Sequence, residues 1–429
     1  MKKRVLVLIS NELIIRNYIN TNAFNLLKKK FKCKFLVNSR LVETFKFSKK
    51  NFLIYKEDEN NSIKLSKIIM RLIYKQENDN SSYKFISEVY KSKINLYFKN
   101  ESFLSNAFLF PKRVLALIFR NFYFYLQKNF FFKIKDYYFL KNFKINKDII
   151  NAIDKLNPKL IIFPFQSMED ETIYSVMKIS KEKKIKTLGL IDNWDNMFTK
   201  PLIDPKPNFL STWGMQGEKI AKVRHKYNKR NLFKLGTPRF DNYFYLRDKK
   251  LKSPFNFKYI LFTEGWVWDE LDKVLTKLNS VIKNNSLLKN HKIIYRPHPW
   301  RKNFEYFDFK KFINIKIDPQ LKKNYEKKNF TTTFQPKLNY YPSLIKNADI
   351  VISGPTSMIV ESLIFRKKVL ILSHNKKKIY SHYNFIKKVE NYKNIENIES
   401  VQLCDNIENI EKDIFKLLKK KINNYKIDK

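Results

Sequence analysis

Short apolar runs bounded by polar turns recur along this chain and constrain its fold more than any other feature. In the first half they span residues 5–9, 160–163 and 187–191, and a helix-like stretch, 170–184, separates the last two. Such short apolar runs are typical of strands buried on both faces, and parallel strands need crossovers between them. The pattern therefore predicts a βαβ unit within a parallel sheet.

A second alternating series begins after residue 257 and predicts another doubly wound sheet. Its predicted strands are 259–263, 292–295, 349–353 and 369–372, and its predicted helices are 270–283, 341–347, 357–365 and a final helix at 407–421. Between the two series, the Gly- and Pro-containing segment 236–257 loses regular periodicity, as interdomain segments do. We expect two Rossmann-like α/β domains, 1–248 and 255–429, that face each other across a cleft.

The chain has 429 residues and a formal net charge of +46, with 44% hydrophobic and 16% aromatic residues. This length suits two domains, and the composition is that of a folded protein. An excess of Lys and Arg favours binding to nucleic acid. However, the lysines are scattered and Gly is scarce, which the bias of an A/T-rich genome would also produce. The charge further fits anionic partners such as phosphorylated donors or a membrane surface.

Cysteine usage and hydropathy bear on location. Cys33 and Cys404 are far apart and without metal-site spacing, so we expect neither a disulfide nor a zinc site, and a reducing cytoplasm. The apolar run at the N-terminus is short for a signal peptide, so we interpret it as a first strand. No stretch reaches the ~18 apolar residues of a membrane span. The aromatic and basic segment 103–140 is either a helical insertion that docks on a membrane interface or a core helix.

Candidate site residues follow the predicted strands, because ligands of open α/β sheets bind beyond the carboxyl ends of the strands. After strand 292–295 come Arg296, Pro297, His298, Pro299 and Arg301. The prolines restrict the backbone around His298, which stands between two cations. This group suits a phosphate, although a single His is more often structural.

The turn after strand 349–353 carries Gly354, Thr356 and Ser357, and Glu361 follows one helical turn later. A helix start offers unpaired N–H groups and a positive dipole end to an anion. Glu361 would lie on the same helix face as Ser357, within reach of a ribose diol. The alternative is that Ser357 only caps the helix and that Glu361 is solvated or salt-bridged.

Two further strand ends carry candidates. Strand 187–191 ends at Asp192 and Asp195 beside Trp194, and these carboxylates could act as a general base or a nucleophile, or merely form a turn. Glu264 and Gly265 follow strand 259–263, where glycine permits close approach of a phosphate to the backbone.

Some motifs are absent from the sequence. It has no GxGxxG motif and no GxxxxGK[ST] motif, which argues against a nicotinamide dehydrogenase and a P-loop NTPase. It also lacks a DxD motif of the kind that metal-dependent glycosyltransferases use. We therefore expect neither a cofactor nor a metal ion at the predicted phosphate-binding site.

The element at 293–299, a strand that runs into RPHP, and ADIVISGPTSMIVESLIFRKKVLIL at 348–372 resemble the donor half of GT-B glycosyltransferases and their relatives that build bacterial surface polymers, such as CDP-glycerol glycerophosphotransferases and Kdo transferases. GTPRFD at 236–241 is similar to the interdomain GxPRxD-type segment of that superfamily. The resemblance covers about 160–375. Many glycerophosphotransferases have another His in the first domain, and His225 does not match it.

The resemblance implies that His298 and Ser357 contact the donor phosphate, that Thr356 assists, and that Glu361 binds the nucleotide ribose. It also favours a cytidine nucleotide, and makes Asp192 or Asp195 the candidate base or nucleophile. The resulting hypothesis is a metal-independent glycosyltransferase at the cytoplasmic face of the membrane. It would transfer a sugar from a nucleotide donor to a lipid-linked or surface glycan of a capsule, lipopolysaccharide or similar polymer.

Three alternatives remain at this point. A CDP-glycerol-type glycerophosphotransferase and a nucleotide-sugar 2-epimerase share the expected two-domain fold. The third is a non-enzymatic protein that binds nucleic acid or a membrane through its basic, aromatic surface. No specific nucleic-acid partner is expected on the enzyme hypotheses.

Overall fold

The computed structural model describes residues 2–45, 51–57, 81–86, 88–89, 143–166, 168, 170–200, 202–265, 270–299, 309–326 and 339–421. The chain divides into two compact units. The first unit consists of Met1–Ile14 and Ala23–Gly236, and the second of Ile15–Asn22 and Thr237–Lys429.

The first unit contains a seven-stranded sheet in the order β3-β2-β1-β4-β5-β6-β7, and every neighbouring pair is parallel. The strands are β1 (Arg4–Ile9), β2 (Lys32–Asn38), β3 (Phe52–Tyr55), β4 (Leu160–Phe165), β5 (Lys186–Ile191), β6 (Phe209–Thr212) and β7 (Leu232–Lys234). Its helices include α1 (Asn25–Lys30), α2 (Ser39–Phe45), α3 (Lys147–Leu156), α4 (Glu171–Glu182), α5 (Asn196–Thr199) and α6 (Met215–Val223).

The second unit repeats this winding in a six-stranded parallel sheet of order β10-β9-β8-β11-β12-β13. The strands are β8 (Lys258–Thr263), β9 (His291–Arg296), β10 (Ile315–Ile317), β11 (Ile350–Ser353), β12 (Lys368–Leu372) and β13 (Val401–Cys404). Its helices include α7 (Asp241–Leu246), α8 (Leu271–Asn284), α9 (Pro319–Tyr325), α10 (Tyr340–Lys346), α11 (Met358–Ile364), α12 (His382–Lys388) and α13 (Ile410–Lys419).

Both sheets are doubly wound, since the strand order reverses beside β1 in one and beside β8 in the other. Central strand residues such as Leu6, Ile161, Ile293 and Ile352 are fully buried. Helices cover both faces of such sheets, which is why their strands are continuous apolar runs. The prediction of two Rossmann-like α/β domains is confirmed.

The units divide between Gly236 and Thr237, at the start of the interdomain segment 236–257. Residues Ile15–Asn22 also belong to the second unit. Their helical turn contacts the turn Pro238–Phe240 and buries Ile15 and Tyr18. Sequence periodicity does not register such a contact between distant segments.

Segment 103–140, predicted as a membrane-docking or core helix, lies outside the described residues. Among the described helices, none is long and apolar enough to span a membrane.

Candidate functional site

The predicted donor residues of the second unit meet at the carboxyl edge of β9, β8 and β11, which are neighbours in the sheet. Glu264 follows β8 and is buried, with 4% of its surface exposed. Its Oε2 accepts hydrogen bonds from the Tyr295 hydroxyl at 2.9 Å and from the backbone N–H of His298 at 3.0 Å. The backbone N–H of Glu264 donates to the carbonyl of Arg296 at 2.9 Å. Glu264 thus fixes the backbone of the half-buried His298.

Gly265 and Gly354 bring the loops after β8 and β11 into direct contact. A Cβ atom on Gly265 would lie 2.9 Å from the carbonyl oxygen of Pro355, and one on Gly354 would lie 3.1 Å from the amide nitrogen of Gly265. The Gly354 N–H also donates to the carbonyl of Thr263 at 3.2 Å. Glycine is therefore required at Gly265 for the observed backbone approach.

The turn into α11 is linked to the segment after Gly236. Nη2 of Arg239 donates to Ser357 Oγ at 3.3 Å and to Glu361 Oε1 at 2.6 Å. The Tyr243 hydroxyl donates to the other carboxylate oxygen of Glu361 at 2.6 Å. The side chains of Arg239 and Glu361 are 5% and 8% exposed. Ser357 occupies the N-cap position of α11 but makes no side-chain capping bond, whereas Glu361 is salt-bridged, as the structural alternative predicts.

The surroundings of Glu361 are more cationic than this one ion pair. Arg16, from the helical turn that joins the second unit, lies near Arg239 and Glu361. Burial, followed by the positive charge of Arg239, lowers the pKa of Arg16. Two guanidinium groups therefore lie within electrostatic range of the one carboxylate beside Ser357, and guanidinium groups suit an anion.

Arg296 is almost fully buried, with 6% of its surface exposed. Its Nε and Nη2 donate to the Tyr341 hydroxyl at 3.0 and 2.8 Å. Asp318, also buried, lies within electrostatic range of this guanidinium, and burial raises the pKa of Asp318. Arg296 is therefore held by Tyr341 and lies close to Asp318, and sequence spacing did not reveal either neighbour. Its predicted companion Arg301 lies outside the described residues.

A small cavity is lined by Glu264, Gly265, Gly354 and His382 together with apolar side chains. His382 begins α12, and its ring packs edge-on against His374 with 4.8 Å between the centroids. Both rings are buried. This histidine pair was not predictable from sequence, because the residues that separate the two histidines carry no motif.

The carboxyl edge of the first sheet carries the two predicted carboxylates. Asp192 is fully buried, and its Oδ2 accepts from Gln166 Nε2 at 3.3 Å. Asp195 Oδ2 accepts from the Thr199 hydroxyl at 3.2 Å, whereas its Oδ1 is buried without a hydrogen-bond partner. Burial raises the pKa of Asp195, and the charge of Asp192 raises it further. An unpartnered carboxylate oxygen with a raised pKa suits proton transfer.

His225 supports the loop that carries these carboxylates. Its ring is 1% exposed, its Nδ1 accepts from the backbone N–H of Ile203 at 3.2 Å, and its Nε2 lies 3.1 Å from the carbonyl of Met197. Burial lowers the pKa of His225 to about 4. The ring is therefore neutral, with Nδ1 as acceptor and Nε2 as donor, and both nitrogens are used within the first unit.

Sequence reasoning missed Arg16, Tyr243, Tyr341 and His382, and it quoted Arg239 without assigning it a role. The only available signal was the GTPRFD segment, in which a Pro-flanked Arg precedes an aromatic residue. Within the part of the chain that is described, no three His, Cys, Asp or Glu side chains form a group suited to a metal ion. Cys33 and Cys404 are both buried free thiols.

The amino-acid sequence matches no protein-family model, and a comparison with curated proteins finds no match either. Solved structures do match. S. aureus MnaA in complex with UDP has a TM-score of 0.53 at 11% identity, over 97% of this chain and 88% of that chain. The UDP-GlcNAc 2-epimerase of Neisseria meningitidis bound to UDP-GlcNAc gives 0.52 at 10%, over 97% and 91%. That of Methanocaldococcus jannaschii gives 0.51 at 12%, over 98% and 94%. The similarity shows that this chain shares the two-domain α/β fold of these structures, and it does not show the CDP-glycerol or Kdo family.

Proposed function

We propose that this protein is a nucleotide-sugar-dependent glycosyltransferase whose donor binds at the carboxyl edge of β9, β8 and β11. The observation that carries the proposal is the convergence of His298, Gly265, Ser357 and a buried, arginine-rich network at this one edge. Close backbone approach and guanidinium groups are what a diphosphate requires. The matched structures bound to UDP and UDP-GlcNAc support a nucleotide sugar as the ligand class.

In this mechanism, negative charge builds on the departing nucleotide phosphate. His298, positioned by Glu264, would donate a hydrogen bond to that phosphate. The Ser357 hydroxyl would donate a second one. The buried charges of Arg296 and Arg239 would stabilise the same oxygens electrostatically. Preorganised donors of this kind each contribute about 3–4 kcal/mol to transition-state stabilisation.

Asp195 is our proposed general base toward the acceptor hydroxyl, because its Oδ1 has no other hydrogen-bond partner and its pKa is raised. Burial, and to a smaller extent the charge of Asp192, would make the ionised Asp195 carboxylate a stronger base than an exposed aspartate. Glu361 is proposed to contact the ribose from within its network with Arg239 and Tyr243. A cytidine nucleotide and a lipid-linked glycan acceptor remain our proposals from the motif resemblance.

The first test is a thermal-shift panel of CMP, CDP, UDP, GDP and dTDP on the wild-type protein and on His298→Ala. A nucleotide at about 100 times its Kd stabilises the folded state by about 2.7 kcal/mol. For domains of this size, that corresponds to a Tm increase of roughly 5–10 °C. We expect one nucleotide to produce this shift, His298→Ala to lose it, and the variant to keep the unliganded Tm. The absence of a shift with every nucleotide would overturn the proposal.

A second candidate function is a nucleotide-sugar 2-epimerase, which the matched epimerase structures favour. Incubation of the protein with the nucleotide sugar alone separates the two activities. An epimerase produces the epimer of the intact donor without an acceptor. A glycosyltransferase leaves the donor unchanged until an acceptor is added, and then releases the nucleotide diphosphate.

A further inference from the structure

The first sheet begins, on its amino edge, with a row of cations. Strands β2, β1, β4 and β5 are adjacent in this order in the sheet. β2 starts at Lys32, β1 at Arg4 and β5 at Lys186, and Lys159 directly precedes β4. The register pairs Arg4 with Lys32, and Leu160 with both Val5 and Lys186. Since adjacent strands lie about 4.8 Å apart, these cations form a row about 15 Å long.

The segments that lead into these strands add more positive charge. Residues 2–4, 25–32, 154–159 and 181–186 contain thirteen Lys and Arg residues and only two acids, Asp154 and Glu182. Asp154 already pairs with Lys183. Lys2 Nζ donates to the carbonyl of Lys29, which joins the end of α1 to the start of β1. We call this set of segments the amino-edge patch.

The opposite edge of the same sheet carries more acids. Its strand ends are followed by Glu12, Glu57, Asp170, Asp192 and Asp195, and among the described residues of these segments by the cations Arg16, Arg40, Lys56 and Lys200. A genome-wide preference for lysine would add cations to both edges alike. The asymmetry therefore indicates that the position of the positive charge matters, beyond the composition of the chain.

An apolar side chain stands in the middle of the positive charge. Leu26 on α1 is 69% exposed, and Lys28, Lys29 and Lys30 follow it on the same helix. Exposed leucine next to several lysines is typical of segments that bind anionic lipid interfaces. Among the described residues of the patch, no aromatic side chain is exposed, whereas single-stranded nucleic acids are bound by stacking on such rings.

We propose that the amino-edge patch docks this protein on an anionic phospholipid surface, with the lysines contacting headgroups and Leu26 entering the interface. Docking through this edge leaves the carboxyl edge of the first sheet, with Asp192 and Asp195, directed away from the lipid. The proposal depends on the charge distribution of the first unit and not on the chemistry of the donor site.

The test is sedimentation of the full-length protein with vesicles of phosphatidylcholine alone and with added phosphatidylglycerol. The variant Lys29→Gln/Lys30→Gln/Lys32→Gln/Lys159→Gln/Lys186→Gln removes five exposed charges of the patch. The matched control removes five exposed lysines of the second unit: Lys283→Gln, Lys289→Gln, Lys323→Gln, Lys377→Gln and Lys412→Gln. The two variants have the same net charge, and thermal unfolding checks that both are folded.

We expect the wild type to bind only vesicles that contain phosphatidylglycerol. Each lysine near such a surface contributes about fivefold to affinity, so the patch variant should bind at least about 100-fold more weakly and the control nearly as well as the wild type. Binding should also weaken when salt rises from about 0.1 M to about 1 M, since the Debye length falls from about 10 Å to about 3 Å. Leu26→Ser should weaken binding without changing this salt dependence.

Three results would overturn the proposal. The first is no binding to anionic vesicles. The second is equal loss in the patch and control variants, which would assign the effect to overall charge. The third is tighter binding to RNA or DNA than to the vesicles, lost in the patch variant, which would identify a nucleic acid as the occupant.

Discussion

At the scale of single residues, the ion pair between Arg239 and Glu361 is the contact on which the geometry of the donor site depends most. Both side chains are buried, and the 2.6 Å contact is supplemented by Tyr243. Breaking a buried pair is costly because the remaining charge has lost both water and its partner. Arg239 also donates to Ser357, so the pair fixes two candidate donor residues at once.

We predict that Arg239→Met and Glu361→Gln each lower the free energy of unfolding by about 3–5 kcal/mol. The double variant should lose less than the sum of the single losses by about 1–3 kcal/mol, because it leaves no unpaired charge. Urea unfolding of the four proteins measures this coupling. Losses that add to within about 0.5 kcal/mol would contradict an energetically coupled pair.

The same variants separate two roles of Glu361. If this carboxylate only holds Arg239 in place, Glu361→Gln weakens nucleotide binding no more than Arg239→Met does. If Glu361 also contacts the ribose, its substitution weakens binding of the nucleotide more than binding of inorganic pyrophosphate, which lacks a ribose. Calorimetric titration with both ligands distinguishes the roles.

At the scale of elements, the contact between the loops after β8 and β11 determines whether the donor residues form one site. Gly265 lies against the backbone of Pro355, which cannot move aside as a flexible side chain could. An added methyl group would therefore separate the two loops. Gly214, at the start of α6, has no atom within 4 Å of a Cβ at its position and has an extended φ of 179°.

We predict that Gly265→Ala lowers nucleotide affinity by at least about tenfold and destabilises the protein by about 1–3 kcal/mol through overpacking. Gly214→Ala is the matched control, and it should change the free energy of unfolding by no more than about 0.5 kcal/mol. Thermal shift with the nucleotide identified for the wild type measures both effects. Wild-type affinity in Gly265→Ala would show that the close approach is not needed for binding.

The elements predicted from sequence are those with an uninterrupted apolar run. β1, β4, β8, β11 and β12 lie inside the sheets, where burial on both faces requires a continuous run of apolar residues. β3, β7 and β10 are edge strands of three or four residues, and their short, partly exposed sequences resemble loops. Edge strands depend on pairing with a neighbour, which local sequence does not record.

The candidate site shows the same division. His298, Ser357 and Gly265 were predictable because they directly follow strands, and parallel topology brings strand ends together. Tyr243, Tyr341 and Arg16 were not predictable. They reach the site from the interdomain segment, from α10 and from a turn near the N-terminus, and only tertiary packing places them there.

At the scale of the whole molecule, the two units have the same winding but differ in what their carboxyl edges carry. The second unit gathers arginines, each close to a buried carboxylate, and two glycines, whereas the first gathers two carboxylates on a loop supported by a neutral, buried histidine. Cationic groups suit a phosphate leaving group, and carboxylates suit the activation of a hydroxyl. Under the proposed function, the arginines would serve the nucleotide donor and the first-unit carboxylates the acceptor.

The buried histidine makes the stability of the molecule depend on pH. The unfolded chain protonates His225 near its ordinary pKa of 6.5, whereas burial lowers the pKa in the folded protein to about 4. Below pH 6.5 the unfolded state therefore binds a proton that the folded state does not. The contribution of His225 to stability is complete above pH 6.5 and is lost as the pH falls toward 4, by about 1.4 kcal/mol per pH unit.

We predict that His225→Gln, although less stable than the wild type at neutral pH, lacks this part of the pH dependence. The difference in unfolding free energy between the two proteins should shrink by about 3 kcal/mol between pH 7 and pH 4. Taking the difference removes the titration of carboxylates common to both, including Asp170 and Asp195, whose pKa values are raised by burial. A constant difference across this range would mean that the folded protein protonates His225 as readily as the unfolded chain does. The hydrogen bond that its Nδ1 accepts from Ile203 would then be lost, and with it the support of the loop that carries Asp192 and Asp195.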